Sequence, residues 1–459
     1  MLISHGARMI FDRFFRLASI PALAVCAVLI CLAPAVQAAS VPLLRDADIE
    51  HGLNRLAAPV LRAAGLNAQR VRVLLVNDRS FNAYVVDSQT IFIHYGLVLK
   101  ADSARMLQAV IAHEAAHIAN GHLGRRMQNL RSAKGAAGLG MALSVLAAAA
   151  GAGEAAAGIA VGTQTSALRG FLAHTRAEEA SADASAADYL RRAGISPKGL
   201  AELHRIFAGQ EHLSAASQDP YMRSHPLSRD RLRAAEAYAA AHGSAGRPNA
   251  EADYWFARLR GKLSAFARAP DWTRRRAAGE QYSDVRQMRE AVASHRQNNR
   301  TRALKAIDGA LAARPKDAFY HDLKGQILME NRQRQAAAAA YGQAARLAPR
   351  DPLILTGLGR VQLAAGNPAA ALKTLEKARA IDFRNPLLLR EMSLAYARTG
   401  QTGLAALVTA ERYALMGRLK DAGLHAKRAS ALLPAGSPGW RRAQDVLAAY
   451  EHVKKRKTR

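Results

Sequence analysis

The sequence predicts an α+β chain, mostly helical, with a small antiparallel sheet in its first half and an all-α solenoid in its second. Three observations carry this. Val71–Val76, Phe81–Val86 and Thr90–Tyr95 are short runs rich in β-branched and aromatic residues, parted by Asn77-Asp78 and Asp87-Ser88. Around them, apolar residues recur at helical spacing. Further on, small residues repeat every 34 positions, as Ala291, Gly325, Gly359 and Ser393 and again as Ala303, Ala337, Ala371 and Ala405. That period is the tetratricopeptide one: two helices crossing closely at small residues, with Pro315 and Pro349 at the turn into the next unit.

In chain order, residues 1–38 read as a secretory signal. Arg8, Arg13 and Arg16 precede an uncharged stretch from Leu17 to Val36, and Val36-Gln37-Ala38 ends as a cleavage site. Cys26 and Cys31 are the only cysteines and both lie there, so the mature chain is expected to hold neither thiol nor disulfide. Cysteine-ligated metal motifs and cysteine nucleophiles are thereby excluded. The formal charge of +29 becomes about +27 once Arg8, Arg13, Arg16 and Asp12 are subtracted. The basic residues are dispersed, apart from Arg274-Arg275-Arg276 and Lys454-Lys455-Arg456-Lys457, and no nucleic-acid motif accompanies them. Nucleic acid is not expected as a partner. Peripheral contact with an anionic membrane surface is the expected counter-charge.

Val41 to Ala64 has helical spacing through Leu43, Leu44, Ile49, Leu53, Leu56 and Leu61, and Gly65-Leu66-Asn67 breaks it. The three strands follow, with Thr90–Tyr95 expected at the sheet edge, where an extended peptide could pair. Asp102 and Ser103 can cap the next helix, whose Leu107, Val110, Ile111 and Ile118 form an apolar stripe, and Asn120-Gly121 would end it.

Inside that helix lies Ala112-His113-Glu114-Ala115-Ala116-His117-Ile118. The HExxH spacing stacks His113 and His117 on one face, where two imidazoles can fill two corners of a tetrahedral zinc site. Glu114 falls one step round, placed to act as general base on zinc-polarised water and to pass the proton to a leaving amine. One zinc ion per chain is therefore the expected cofactor. Position 123 is Leu and position 120 is Asn, which excludes the HExxHxxGxxH class. A third ligand must come from farther along. Glu179 and Asp183 are i, i+4 carboxylates that would repel on a solvated helix. The repulsion vanishes if Glu179 binds the metal while Asp183 accepts a proton from a ligand histidine. From spacing alone, an exposed acidic helix fits equally well.

Between these elements, Gly135 to Gly162 is rich in alanine and glycine and includes the GxxxG Gly158–Gly162. It is expected as small-residue helices packed over the catalytic cleft, mobile or dipping into the membrane, with a transmembrane hairpin as the alternative.

The pair HEAAH and, some sixty residues on, Glu179-Ala180-Ser181-Ala182-Asp183 resembles the metallopeptidase family that contains the CAAX prenyl proteases and the HtpX-type membrane proteases. Asn82-Ala83-Tyr84 followed by Ile91 to Leu97 is similar to that family's NAF…GL segment, with Asp87-Ser88-Gln89 in place of the usual Pro-Gly-Gly. Leu44 to Glu50 and Tyr221-Met222-Arg223-Ser224-His225-Pro226-Leu227 resemble its exported, repeat-bearing branch. The resemblance implies zinc ligands His113, His117 and Glu179, with Glu114 as base and Asp183 behind the ligands. It also implies that His225 can reach the metal and hold the enzyme latent. His122 matches a position that is not a ligand.

The expected organisation is a signal peptide over 1–38, a zinc metallopeptidase domain over 39–245 and a helical linker over 246–283. Repeats follow as 284–317, 318–351, 352–385 and 386–419, with a degenerate capping pair and basic tail over 420–459. The leading expectation is a periplasmic zinc endopeptidase acting on misfolded or stalled envelope proteins. Its repeats would hold the outer-membrane assembly machinery or other envelope proteins. The alternatives are a chaperone or scaffold with a latent or vestigial site, and a membrane-embedded protease.

Overall fold

Asp46 decides where the first helix starts. Its carboxylate accepts the Ile49 N–H at 3.0 Å, so α1 runs Ala47–Ala63 instead of beginning at Val41. Leu43–Leu44 are left to pair as β1. The computed structural model describes residues 43–125, 175–213, 217–243, 246 and 248–457. The expected signal over 1–38 and the Gly135–Gly162 stretch lie outside the described residues. No helix among the described residues is long and apolar enough to cross a membrane.

The sheet has four strands in the order β1-β2-β4-β3, with β2 at Arg72–Val76, β3 at Ala83–Val85 and β4 at Thr90–His94. It is mixed, where a purely antiparallel sheet was expected: β2 and β4 are parallel, while β1–β2 and β3–β4 are antiparallel. The loop between β2 and β3 explains the order. It crosses the end of β4, tied down by Gly96 N–H to the Asp78 carbonyl at 3.0 Å and His94 N–H to the Asn82 carbonyl at 2.9 Å. A Cβ on Gly96 would fall 1.9 Å from the Arg79 carbonyl oxygen, so only glycine lets the loop pass this closely. β4 is therefore interior, and the edge strands are β1 and β3, not Thr90–Tyr95.

After α2 (Tyr95–Lys100), helix α3 (Ala104–Ala119) is capped by Ser103, whose hydroxyl accepts Met106 N–H at 3.3 Å. Asn120 and a left-handed Gly121 (φ 66°) stop it. Its Leu107, Val110 and Ile111 pack with Leu53 and Leu56 of α1 and with Val73, Leu75, Ile91 and Ile93 from the inner sheet face. Helices α4 (Arg176–Arg192), α5 (Lys198–Phe207), α6 (Pro220–Ser224) and α7 (Arg229–His242) complete this core.

Helix α8 (Ala250–Ala267) is more than a linker. Its Phe256, Leu259 and Leu263 belong to the first core, while Tyr254 and Ala265 belong to the core of the repeats. Following α9 (Pro270–Ala277), five helix pairs stack: α10 and α11 (Ser283–Arg296, Arg300–Ala313), α12 and α13 (Ala318–Glu330, Arg334–Leu347), α14 and α15 (Pro352–Ala364, Pro368–Ile381). Then come α16 and α17 (Pro386–Arg398, Thr402–Leu415) and α18 and α19 (Leu419–Leu432, Pro438–Lys457). Ala303, Ala337 and Ala371 are fully buried at the crossings, as the period of 34 requires.

Buried charge joins the stack to the first half. The Arg258 guanidinium of α8 lies 2.8 Å from Asp48 on α1 and grips Asp317, the N-cap of α12, through two hydrogen bonds of 2.6 and 2.8 Å. Asp382, after α15, accepts from Arg45 at 2.8 Å and from both terminal nitrogens of Arg72 at 3.1 Å. The repeats are thus clamped beside the sheet at two separate points.

Candidate metal centre

Helical geometry on α3 puts the His113 and His117 rings 4.7 Å apart, with their Nε2 atoms at 3.1 Å. α4 comes alongside N-terminus first. Thr175 and Glu178 form a reciprocal capping box, which places Glu179 in the first turn and Asp183 one turn later. α6 is a single turn opened by Pro220, and His225 is its C-cap. The side chains of His113, His117, Glu179 and His225 converge, with one potential ligand atom from each lying within 4.8 Å of all the others. All four are buried.

The spacing is that of a coordination shell. His225 Nδ1 stands 3.2 Å from His113 Nε2 and 3.1 Å from Glu179 Oε1; His117 Nε2 is 3.3 Å from the same oxygen. A tetrahedron built on metal–nitrogen bonds of about 2.0–2.1 Å has edges of about 3.3 Å.

The outer ring nitrogens fix the tautomers. His113 Nδ1 donates to Asp183 Oδ1 at 2.9 Å, and His225 Nε2 donates to the Ala83 carbonyl at 3.2 Å. His117 Nδ1 meets His122 Nδ1 at 2.8 Å. With the His113 and His225 protons turned outward, and with His117 Nδ1 donating to His122, three imidazole lone pairs and a carboxylate can face one point. A cation resolves that convergence, and the donor set suits a divalent metal.

The local field agrees. Burial works against charging His113, yet the Glu179 and Asp183 carboxylates overcome it and lift the ring to about 10, so this pocket favours positive charge. Burial lowers His117 well below the usual histidine range. Burial opposes ionisation of Glu179, but His225 and His113 hold its carboxyl well below the usual range.

Glu114 is fully buried beside the cluster, and neither of its oxygens has a hydrogen-bond partner. Its Oε1 is 3.4 Å from His225 Nε2. Burial raises its pKa against the opposing pull of His225 and His113, the direction that makes a carboxylate a stronger base.

Residues 43–239 match the sequence model of Peptidase family M48, and residues 328–390 match a tetratricopeptide repeat model. This chain carries an M48 peptidase domain and tetratricopeptide repeats. It is a metallopeptidase. The Beta-barrel assembly-enhancing protease of Yersinia pestis is 26% identical over 407 residues, covering 87% of this chain and 82% of that one. The protein of the same name from Escherichia coli K12 is 26% identical over 415 residues, with the same shares. Metalloprotease LoiP of Escherichia coli K12 is 30% identical over 174 residues, covering 36% of this chain and 62% of that one.

Two residues around the cluster, Arg231 and His204, escaped the sequence reading, and His122 was read there only as a non-ligand. Arg231, in the first turn of α7, hydrogen-bonds Asp183 through Nε at 2.6 Å and Nη2 at 2.9 Å. His204 of α5 lies 3.5 Å from Asp183. His122 sits against His117. Burial would raise the Asp183 pKa, but His204, His113 and Arg231 hold it well below the usual carboxylate range. His122 had one signal, its place five residues after His117; Arg231 had none to set it apart from Arg229 and Arg233.

Proposed function

We propose that the protein is a zinc endopeptidase of the bacterial periplasm that hydrolyses misfolded or stalled outer-membrane and envelope proteins. His113, His117 and Glu179 hold the metal, and His225 fills the fourth corner in the resting state. The observation that carries this is the convergence of those four side chains beside a buried Glu114 that has no hydrogen-bond partner. Three nitrogens and one carboxylate at these spacings suit zinc. A bound zinc ion supplies the Lewis acidity that polarises a scissile carbonyl and lowers the pKa of water.

The protein's own groups do the rest. Glu114 takes the proton from the attacking water and delivers it to the leaving amine. Asp183 holds the His113 ring in the tautomer that turns Nε2 inward. Substrate lies along β3. Because His94 N–H pairs with the Asn82 carbonyl, the backbone groups of Ala83 and Val85 turn away from β4 towards the open edge. An extended peptide adding there would pass the metal position.

The latch segment occupies that edge. Tyr221 N–H donates to the Phe81 carbonyl at 3.3 Å, the Ser224 hydroxyl to Asn82 Oδ1 at 3.3 Å and His225 Nε2 to the Ala83 carbonyl. His225 therefore blocks both the fourth metal corner and a backbone acceptor that substrate needs. The repeats bind protein partners; we assign them envelope proteins and the outer-membrane assembly machinery. The names of the relatives and the expected signal support this assignment and a periplasmic location.

The test is casein cleavage by zinc-loaded wild type, Glu114→Gln and His225→Ala. Weak wild-type cleavage, a faster His225→Ala and an inactive Glu114→Gln are expected. Undiminished cleavage by Glu114→Gln would overturn the mechanism.

A further inference from the structure

Arg231 is a buried guanidinium, 6% exposed, whose donors are divided among three acceptors of different purpose. Nε and Nη2 form a fork on Asp183, the residue that orients His113. Nη1 lies 2.9 Å from Glu179 Oε2, as an ion pair without hydrogen-bond alignment. The same Nη1 donates to the carbonyl of Pro226 at 2.8 Å. Pro226 follows His225 directly, so that carbonyl belongs to the segment that presents the histidine to the metal position. The arm is short and fixed at its root: Ser228 caps α7 by accepting the Arg231 N–H at 3.3 Å.

We propose that Arg231 is a positioning residue with two tasks, fixing the Glu179 and Asp183 carboxylates and clasping the His225 segment over the metal position. The second task rests on the latch reading of His225. A lone charge-balancing arginine would explain the contacts to the two carboxylates. It would not explain the Pro226 contact, which links the carboxylate pair to the one ligand whose departure opens the site. Only a planar fork can serve a bidentate carboxylate and a carbonyl at the same time. A lysine there keeps the charge but has one nitrogen to place.

Arg231→Lys in the full chain, alone and combined with His225→Ala, tests both tasks. Zinc affinity is read by competition with a chromogenic chelator, and casein cleavage is read at zinc concentrations that fill each variant. Zinc affinity is expected to fall roughly 10–100-fold with Arg231→Lys. Cleavage is expected to rise roughly threefold or more in the wild-type background and not to rise in the His225→Ala background, where no latch is left to release. Wild-type zinc affinity would overturn the first task. An equal change of cleavage in both backgrounds, or a loss in both, would overturn the second. If His225→Ala cleaves no faster than wild type, the latch reading itself fails, and the clasp with it, while the zinc measurement still judges the first task. Should Arg231→Lys not fold, Arg231→Gln, too short to reach Pro226, replaces it with the same expectations.

Discussion

His225 Nε2 donates to the Ala83 carbonyl at 3.2 Å, and this one contact ties the metal corner to the sheet edge. The ring bridges them, because its other nitrogen is 3.2 Å from His113 Nε2. On the proposed reading, a substrate strand and the latch would compete for the same backbone acceptor. Removal of the ring in His225→Ala should act chiefly on substrate binding. KM is expected to fall by the factor that separates closed from open enzyme, with kcat changed by less than about twofold. Progress curves over a range of peptide concentrations give both constants. A higher kcat at constant KM would show that the histidine acts after binding, and the edge competition would be wrong.

Glu114 offers a cleaner separation of metal binding from chemistry. It touches none of the expected ligands through a hydrogen bond, and its buried oxygens have no hydrogen-bond partner. Glu114→Gln preserves shape and removes the base. Zinc stoichiometry is expected to remain at one, and cleavage is expected to fall by roughly 10²–10⁴-fold. Metal analysis and peptide cleavage on the same preparation check this. Loss of zinc together with activity would assign Glu114 a ligand role instead.

Asp183→Asn should do the reverse. The amide can present its NH₂ to His113 Nδ1 and so favour the wrong tautomer, turning a proton towards the metal position. Zinc affinity is expected to drop about 10–100-fold, with much of the activity restored by added zinc. Titration of cleavage against free zinc measures it. An unchanged zinc dependence would show that the 2.9 Å contact is only a packing detail.

What could be read along the chain was whatever depends on local spacing. His113 and His117 lie on one helical face in any helix, and the repeats announce themselves through a constant period. Glu179 and Asp183 stood out because two like charges one turn apart need a reason. The sheet order was not legible, because it turns on a loop crossing the end of β4 through contacts such as Gly96 with Asp78. β3, with three residues, carries too little pattern to declare itself an edge. Arg231 was invisible for a different reason. Arg229, Arg231 and Arg233 alternate along one stretch, and only the packing of α7 on α4 buries the middle one while the others stay exposed.

The clamp at Asp382 predicts an acid-sensitive stability. Burial would raise this carboxyl's pKa, but the guanidinium groups of Arg72 and Arg45 overcome it and hold the folded value below the usual one. A depressed folded pKa means that the unfolded chain takes up the proton first as pH falls. The contribution is therefore complete above about 3.9, the unfolded value, and is lost as pH drops through the folded one. Thermal unfolding from pH 6 down to pH 2 should show a fall that is shallower in Asp382→Asn, because that variant has no such proton to gain. At pH 7 the same variant is expected to be less stable by roughly 3–5 kcal/mol, since Arg45 keeps its buried position with one carboxylate, Glu50, in place of two. The repeats and the peptidase domain meet at this clamp, so the loss should appear as earlier melting of their common transition. An acid profile identical to wild type would mean that the Arg258 network alone holds the two halves together.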